Sequence, residues 1–196
     1  MSSLRPVLIA SDADTQALRG APRVAARSAH ARVALAESAR RSNAELGPLA
    51  KGEHDAPLPT NGWHWSISHA HGYSAGVVAR APVGIDVEAI VPRRQELVQR
   101  VAQRAEFDLL EGFRWETFFR IWTAKEAVLK KAGCGILELS SCTVVAAPAV
   151  DHLVLSHRGS EHTVRLLVRN AHVAAIACDG SHEVEWTLEP AREVTS

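Results

Sequence analysis

Trp122-Thr-Ala-Lys-Glu-Ala-Val-Leu-Lys130 follows Phe118, Phe119 and Ile121 and runs into Gly133-Cys-Gly135. Apolar residues recur at helical spacing and no Pro or Gly interrupts them, which predicts a helix over 115–132. The glycine beyond Lys130 and Lys131 is a stop signal, and two lysines suit the negative end of a helix dipole. Trp122, Glu126 and Lys130 are four apart and share one face. Alone, they read as a surface pair beside a core tryptophan. An acidic pair upstream gives them a second reading.

That pair lies in Val83-Gly-Ile-Asp-Val-Glu88. Alternation predicts a strand with Val83, Ile85 and Val87 toward a core and Asp86 and Glu88 leaving together on the other side. Two carboxylates on one side of a half-buried strand repel unless a proton or cation intervenes. Magnesium suits them, because it takes a few carboxylates and fills its other positions with water and phosphate oxygens. Glu126 is a candidate third ligand, and Lys130, one turn on, would face the phosphate. A turn acid beside a surface acid is the competing interpretation, and the motif alone does not separate the two.

Before this strand comes Trp63-His-Trp-Ser-Ile-Ser-His-Ala-His71, whose alternation predicts another half-buried strand ending in Ser68 and His69. A Ser-His dipeptide invites a hydrolase reading. Adjacent strand residues point oppositely, however, and no G-x-S-x-G elbow is present. His69 as a phosphate ligand is more economical. A zinc site from His64, His69 and His71 lacks the expected spacing.

Further strands are expected over 6–10, 73–79, 142–147, 152–155, 163–168 and 172–178, with alternation at Val184, Trp186 and Leu188. Arg23 to Leu46 reads as a long helix with a basic side, 47–62 as loop, and 93–110 as two helices broken near 103–106. The end, 190–196, reads as frayed. The turn and small-residue strand of 68–79 are faintly echoed in 169–177. Strands and helices mix without regular βαβ alternation, so the expected class is α+β.

The chain has 196 residues, 46% hydrophobic and 22% charged, with zero formal charge. That composition suits a globular protein with a real core, and no global field directs it to nucleic acid or membrane. Three separated cysteines, Cys134, Cys142 and Cys178, suggest reduced thiols and a cytoplasmic setting. No signal-peptide or membrane-spanning pattern is expected.

Gly84-Ile-Asp-Val-Glu88, then Trp122-x-x-Lys-Glu-x-x-x-Lys130, with Trp65-Ser-Ile-Ser-His-Ala70 before both, resembles the Sfp-type 4′-phosphopantetheinyl transferases in order and spacing. Glu106 matches the acidic residue that family carries before its long helix. The resemblance covers roughly 23–180. It implies two similar α/β halves in pseudo-twofold arrangement, divided here into 1–89 and 90–196, with the active site between them in a monomer. It also implies transfer of the phosphopantetheine arm of coenzyme A to a serine of an acyl or peptidyl carrier protein, releasing 3′,5′-ADP.

Carried over by residue, Asp86, Glu88 and Glu126 match the magnesium ligands. Glu126, or a water it holds, matches the base, and Lys130 the group facing the leaving diphosphate. Ser68, His69 and Lys125 fall in motif blocks assigned to coenzyme A contacts, with His69 at the 3′-phosphate. Arg27 and Arg32 are both candidates for basic contacts from the first helix. Lys51 or the 55–57 turn is the candidate for the loop near the adenine, although the lysine is out of place. Ser66 replaces the family's usual Asn. A non-catalytic coenzyme A- or carrier-binding relative is the alternative, and an unrelated magnesium-dependent phosphohydrolase ranks last.

Overall fold

The computed structural model describes residues 3–179 and 182–191; the expected fraying of 192–196 lies outside them. Helices α1 (Ala13–Ala17) and α2 (Gly20–Arg41) follow strands β1 (Ser3–Leu4) and β2 (Val7–Ala10). After a loop come β3 (His64–His69), β4 (Tyr73–Ala79) and β5 (Val83–Ala89), then α3 (Gln95–Val101), α4 (Arg104–Asp108) and α5 (Trp115–Ala132). Strands β6 (Thr143–Ala149), β7 (His152–His157), β8 (Ser160–Arg169), β9 (His172–Cys178), β10 (Glu183–Val184) and β11 (Thr187–Glu189) complete the chain.

Two sheet–helix units result. One sheet has the order β11-β2-β4-β3 and the other β5-β9-β8-β7-β6, while β1 and β10 form a short parallel pair. The first sheet carries α2, with Leu35 packed among Trp65 and Val78. The second carries α5, whose Phe118, Ala124, Ala127 and Val128 meet Val173, Ala175 and Ala177 of β9. Between the sheets lie mainly small and β-branched residues: Ala75, Val77, Val83, Ile85, Val87, Ala174 and Ile176. Period-two alternation therefore sends one row of β5 into the intersheet core and the other, Gly84, Asp86 and Glu88, toward α5.

The strand 83–89 pairs antiparallel with β9 along its whole length. It is thus built into the second sheet rather than closing the first. Its other edge faces β3 without a backbone ladder. Serine hydroxyls take that place: the amides of Ile85 and Val87 donate to Ser66 Oγ at 3.1 Å and Ser68 Oγ at 3.4 Å. The seam between the units is bridged by polar side chains, and the site lies along it.

The faint internal echo has a structural counterpart in two hairpins, β3–β4 and β8–β9. Their turns touch, with His172 Nε2 2.6 Å from the His71 carbonyl and its ring edge-on to Tyr73. The first long helix starts at Gly20, so Pro22 sits in its first turn, where the missing N–H costs no helical bond. The terminal alternating run divides into β10 and β11, which pair in parallel with β1 and β2.

Candidate functional site

Helix α5 ends as its sequence dictates. Gly133 adopts φ 69°, and the Cys134 amide returns to the Leu129 carbonyl at 2.9 Å. The helix crosses β5 at Gly84. A Cβ there would stand 2.0 Å from the Ala127 carbonyl oxygen and 2.5 Å from the Lys131 amide nitrogen. Only glycine permits this approach, and it brings the acidic row of β5 under the Glu126–Lys130 face.

Asp86 is 4% exposed. Its Oδ1 accepts from Lys130 Nζ at 2.8 Å and from Ser68 Oγ at 2.7 Å. Lys130 also donates to the Ile85 carbonyl at 3.2 Å. Asp86 Oδ2 and Glu126 Oε1 are buried without a hydrogen-bond partner. Leaving such atoms unpaired is costly, and a proton or cation relieves it.

Burial pushes the Glu126 carboxyl up to about 7, with the Asp86 charge adding to the rise and Lys130 opposing it. Burial, then Asp86, pushes Glu88 up to about 7 as well, with Glu126 contributing and Arg93 and Lys130 opposing. The three acids therefore share one electrostatic neighbourhood. They suit a hard cation in donor type and in their unpaired oxygens. Lys130 neutralises Asp86, and the ligand oxygens of the three acids do not all lie within 4.8 Å of one another.

His69 is half-buried at the end of β3. Burial lowers its pKa, a backbone hydrogen bond opposes this, and the charges of Lys130 and Arg27 lower it further against a smaller opposing effect of Asp86. Arg27 of α2 thus faces the site, with its Nε buried and unpartnered. Arg32 is exposed and borders a groove with Leu35, Ala39 and Leu46 on another side of α2. Of the two arginines, Arg27 is the one brought to His69.

Lys125 is not brought to the site. It is 2% exposed and sits in the core, with Nζ 2.8 Å from Glu106 Oε1 and 2.7 Å from the Val101 carbonyl. Glu106 also accepts from the amides of Gln103 and Val144, both at 2.9 Å. This closed network ties α4, α5 and β6 together. One residue along a helix is about 100° of rotation, so Lys125 and Glu126 leave on different faces, one to the core and the other to the site.

A cleft of about 220 Å³ adjoins Lys130, lined by Lys51, His54, Asp55, Pro57, Ser66 and Cys134 among others. The loop suspected from sequence thus borders the site. A larger cavity of about 540 Å³, lined by Arg165, Leu167, Trp186 and neighbours, contains none of the site residues. Sequence reasoning missed a second cluster, Cys134, Glu138 and His157, whose ligand atoms lie within 4.8 Å of one another and could hold a metal ion.

Residues 82–177 match the family model of the 4′-phosphopantetheinyl transferase superfamily. The 4′-phosphopantetheinyl transferase psf-1 of Bacillus pumilus is 40% identical over 78 residues, 38% of this chain and 34% of that protein. Similar matches are the transferase Sfp of Bacillus subtilis strain 168, 33% identical over 86 residues (41% and 38% of the two chains), and HetI of Nostoc, 30% over 95 (45% and 40%). The aligned part spans 34 to 40% of the length of these curated relatives. Residues 82–177 are thus similar to that superfamily, and the matches single out no one member of it.

Proposed function

We propose that this protein is a 4′-phosphopantetheinyl transferase, which transfers the 4′-phosphopantetheine arm of coenzyme A to a serine of an acyl or peptidyl carrier protein. The observation that supports this most is the Asp86–Lys130 ion pair at the seam with Glu126 within reach of both charges, one oxygen of each acid being buried and unpaired. In the proposed reaction the serine oxygen bonds to the phosphorus that bears pantetheine. The bond from that phosphorus to the bridging diphosphate oxygen breaks, and 3′,5′-ADP leaves with the electron pair.

The serine proton passes to Glu126 or to a water it holds. Lys130, 30% exposed, lies between Asp86 and the cleft, where its ammonium can face the diphosphate. Arg27 and His69 supply positive charge for the 3′-phosphate, and an arriving phosphate would favour the protonated imidazole. Asp86 Oδ2, Glu126 Oε1 and Glu88 would hold magnesium, which when bound supplies positive charge to the diphosphate.

The acceptor is an acidic helical carrier. Arg93, Arg94, Arg100 and Arg104 are all exposed near the start of the second unit and provide a basic face for it. The protein acts as a cytoplasmic monomer in this account. Its three cysteines are free, and among the described residues no helix is long and apolar enough to cross a membrane. The test combines purified protein, coenzyme A, magnesium and an apo carrier. A carrier heavier by one phosphopantetheine is expected. No gain on several carriers, beside a working transferase control, contradicts the proposal.

A further inference from the structure

We infer that Cys134, Glu138 and His157 form a binding site for a borderline-soft divalent cation of the zinc class, separate from the carboxylate site. Cys134 is placed by the Gly133 cap at the end of α5. Glu138 comes from the 3-10 turn at Ile136–Ser141, and His157 is the last residue of β7. Two donors four residues apart and a third from a later strand thus bring sulfur, oxygen and nitrogen within 4.8 Å of one another. Donors around a tetrahedral zinc ion stand roughly 3.3–3.8 Å apart, so a small closure completes the set. Part of it is already that close, with His157 Nε2 3.0 Å from Glu138 Oε2.

The second observation is burial. The His157 side chain is 1% exposed, and its Nε2 is turned to Glu138 rather than to water. A thiol and an imidazole select zinc or its neighbours in the first transition row over magnesium, which prefers oxygen donors. Cys134 is only partly buried and lines the open cleft, which gives a cation an entry path. Three protein ligands leave a fourth position for water.

On binding, the Cys134 thiol releases its proton to water as the sulfur–metal bond forms. His157 coordinates through the Nε2 lone pair of the neutral ring, in the tautomer that carries its proton on Nδ1. Arg158 also holds Glu138, through Nε on Oε2 at 2.8 Å and through Nη2 on Oε1. It can retain Oε1 while Oε2 turns to the cation. Its positive charge repels a nearby cation and so weakens the site. Without a cation, Arg158, Glu138 and His157 form an ion-pair staple to which the thiol is incidental, and the test separates the two cases.

Cobalt(II) titrated into the intact protein is the probe. One equivalent should bind with a near-ultraviolet thiolate-to-cobalt charge-transfer band, displaced by zinc and not by excess magnesium. Cys134→Ser, conservative and partly exposed, should abolish the band and weaken binding at least about tenfold. Glu126→Gln should keep the band, which separates this site from the carboxylates. Absence of the band at stoichiometric cobalt, or its survival in Cys134→Ser, overturns the inference.

Discussion

Gly84 and Ala127 meet backbone to backbone: a Cβ at residue 84 would lie 2.0 Å from the carbonyl oxygen of residue 127. The obstacle is main chain, so it cannot rotate aside. Gly84→Ala must separate β5 from α5 and, with them, Asp86 from Lys130. A loss of about 1–3 kcal/mol in denaturant unfolding is expected from overpacking, together with a fall in transfer rate larger than the unfolded fraction explains. Wild-type stability in this variant would show that the contact is not tight.

Ser68 holds Asp86 and caps a β5 edge amide at once. Ser68→Ala removes a donor from a buried carboxylate and should cost about 1–3 kcal/mol. The same change should weaken coenzyme A binding, measured by calorimetry, because Asp86 loses the bond that orients it. Unchanged stability would mean that water replaces the hydroxyl.

The two raised acids make stability depend on pH in a definite direction. Glu88 and Glu126 rise from 4.5 to about 7 on folding, so the folded protein binds more protons than the unfolded chain between those values. The stability linked to those protons is complete below 4.5 and is lost as pH rises through about 7. Cation-free protein should therefore melt lower at pH 8 than at pH 5.5. Glu126→Gln should recover ~1–2 kcal/mol at pH 8, after discounting for partial exposure. Magnesium should raise the wild-type melting temperature at pH 8 more than that of the variant. A flat or rising cation-free profile would contradict the burial account.

Two lysines of one helix should fail differently. Lys125→Met leaves Glu106 charged and unpaired in the core, at a cost of roughly 3–5 kcal/mol. What remains folded should bind coenzyme A normally. Lys130→Met should lose about 10²–10³-fold in transfer rate with a smaller effect on folding. Thermal melts and single-turnover rates on both variants check this, and a reversed pattern would reassign the two residues.

The outline of the site was legible because alternation in 83–88 and helical spacing in 115–132 fix which residues share a face. The sequence-derived grouping of Lys125 with the ligand contacts followed a motif block rather than the helical angle, and the fold places it in the core. Other features depend on contacts between distant segments. Gly84's approach to α5, the serine seam on β5 and the pairing of β5 with β9 have no local signature. The Cys134–Glu138–His157 cluster is hidden because its third member, His157, comes from a strand 19 residues beyond Glu138.

The most direct measurement is single-turnover transfer to an apo carrier by wild-type protein and Glu126→Gln, with coenzyme A affinity measured on both. The glutamine variant should be slower by about 10²–10⁴-fold while binding coenzyme A within a few-fold of wild type. Equal transfer rates in the two proteins would contradict this.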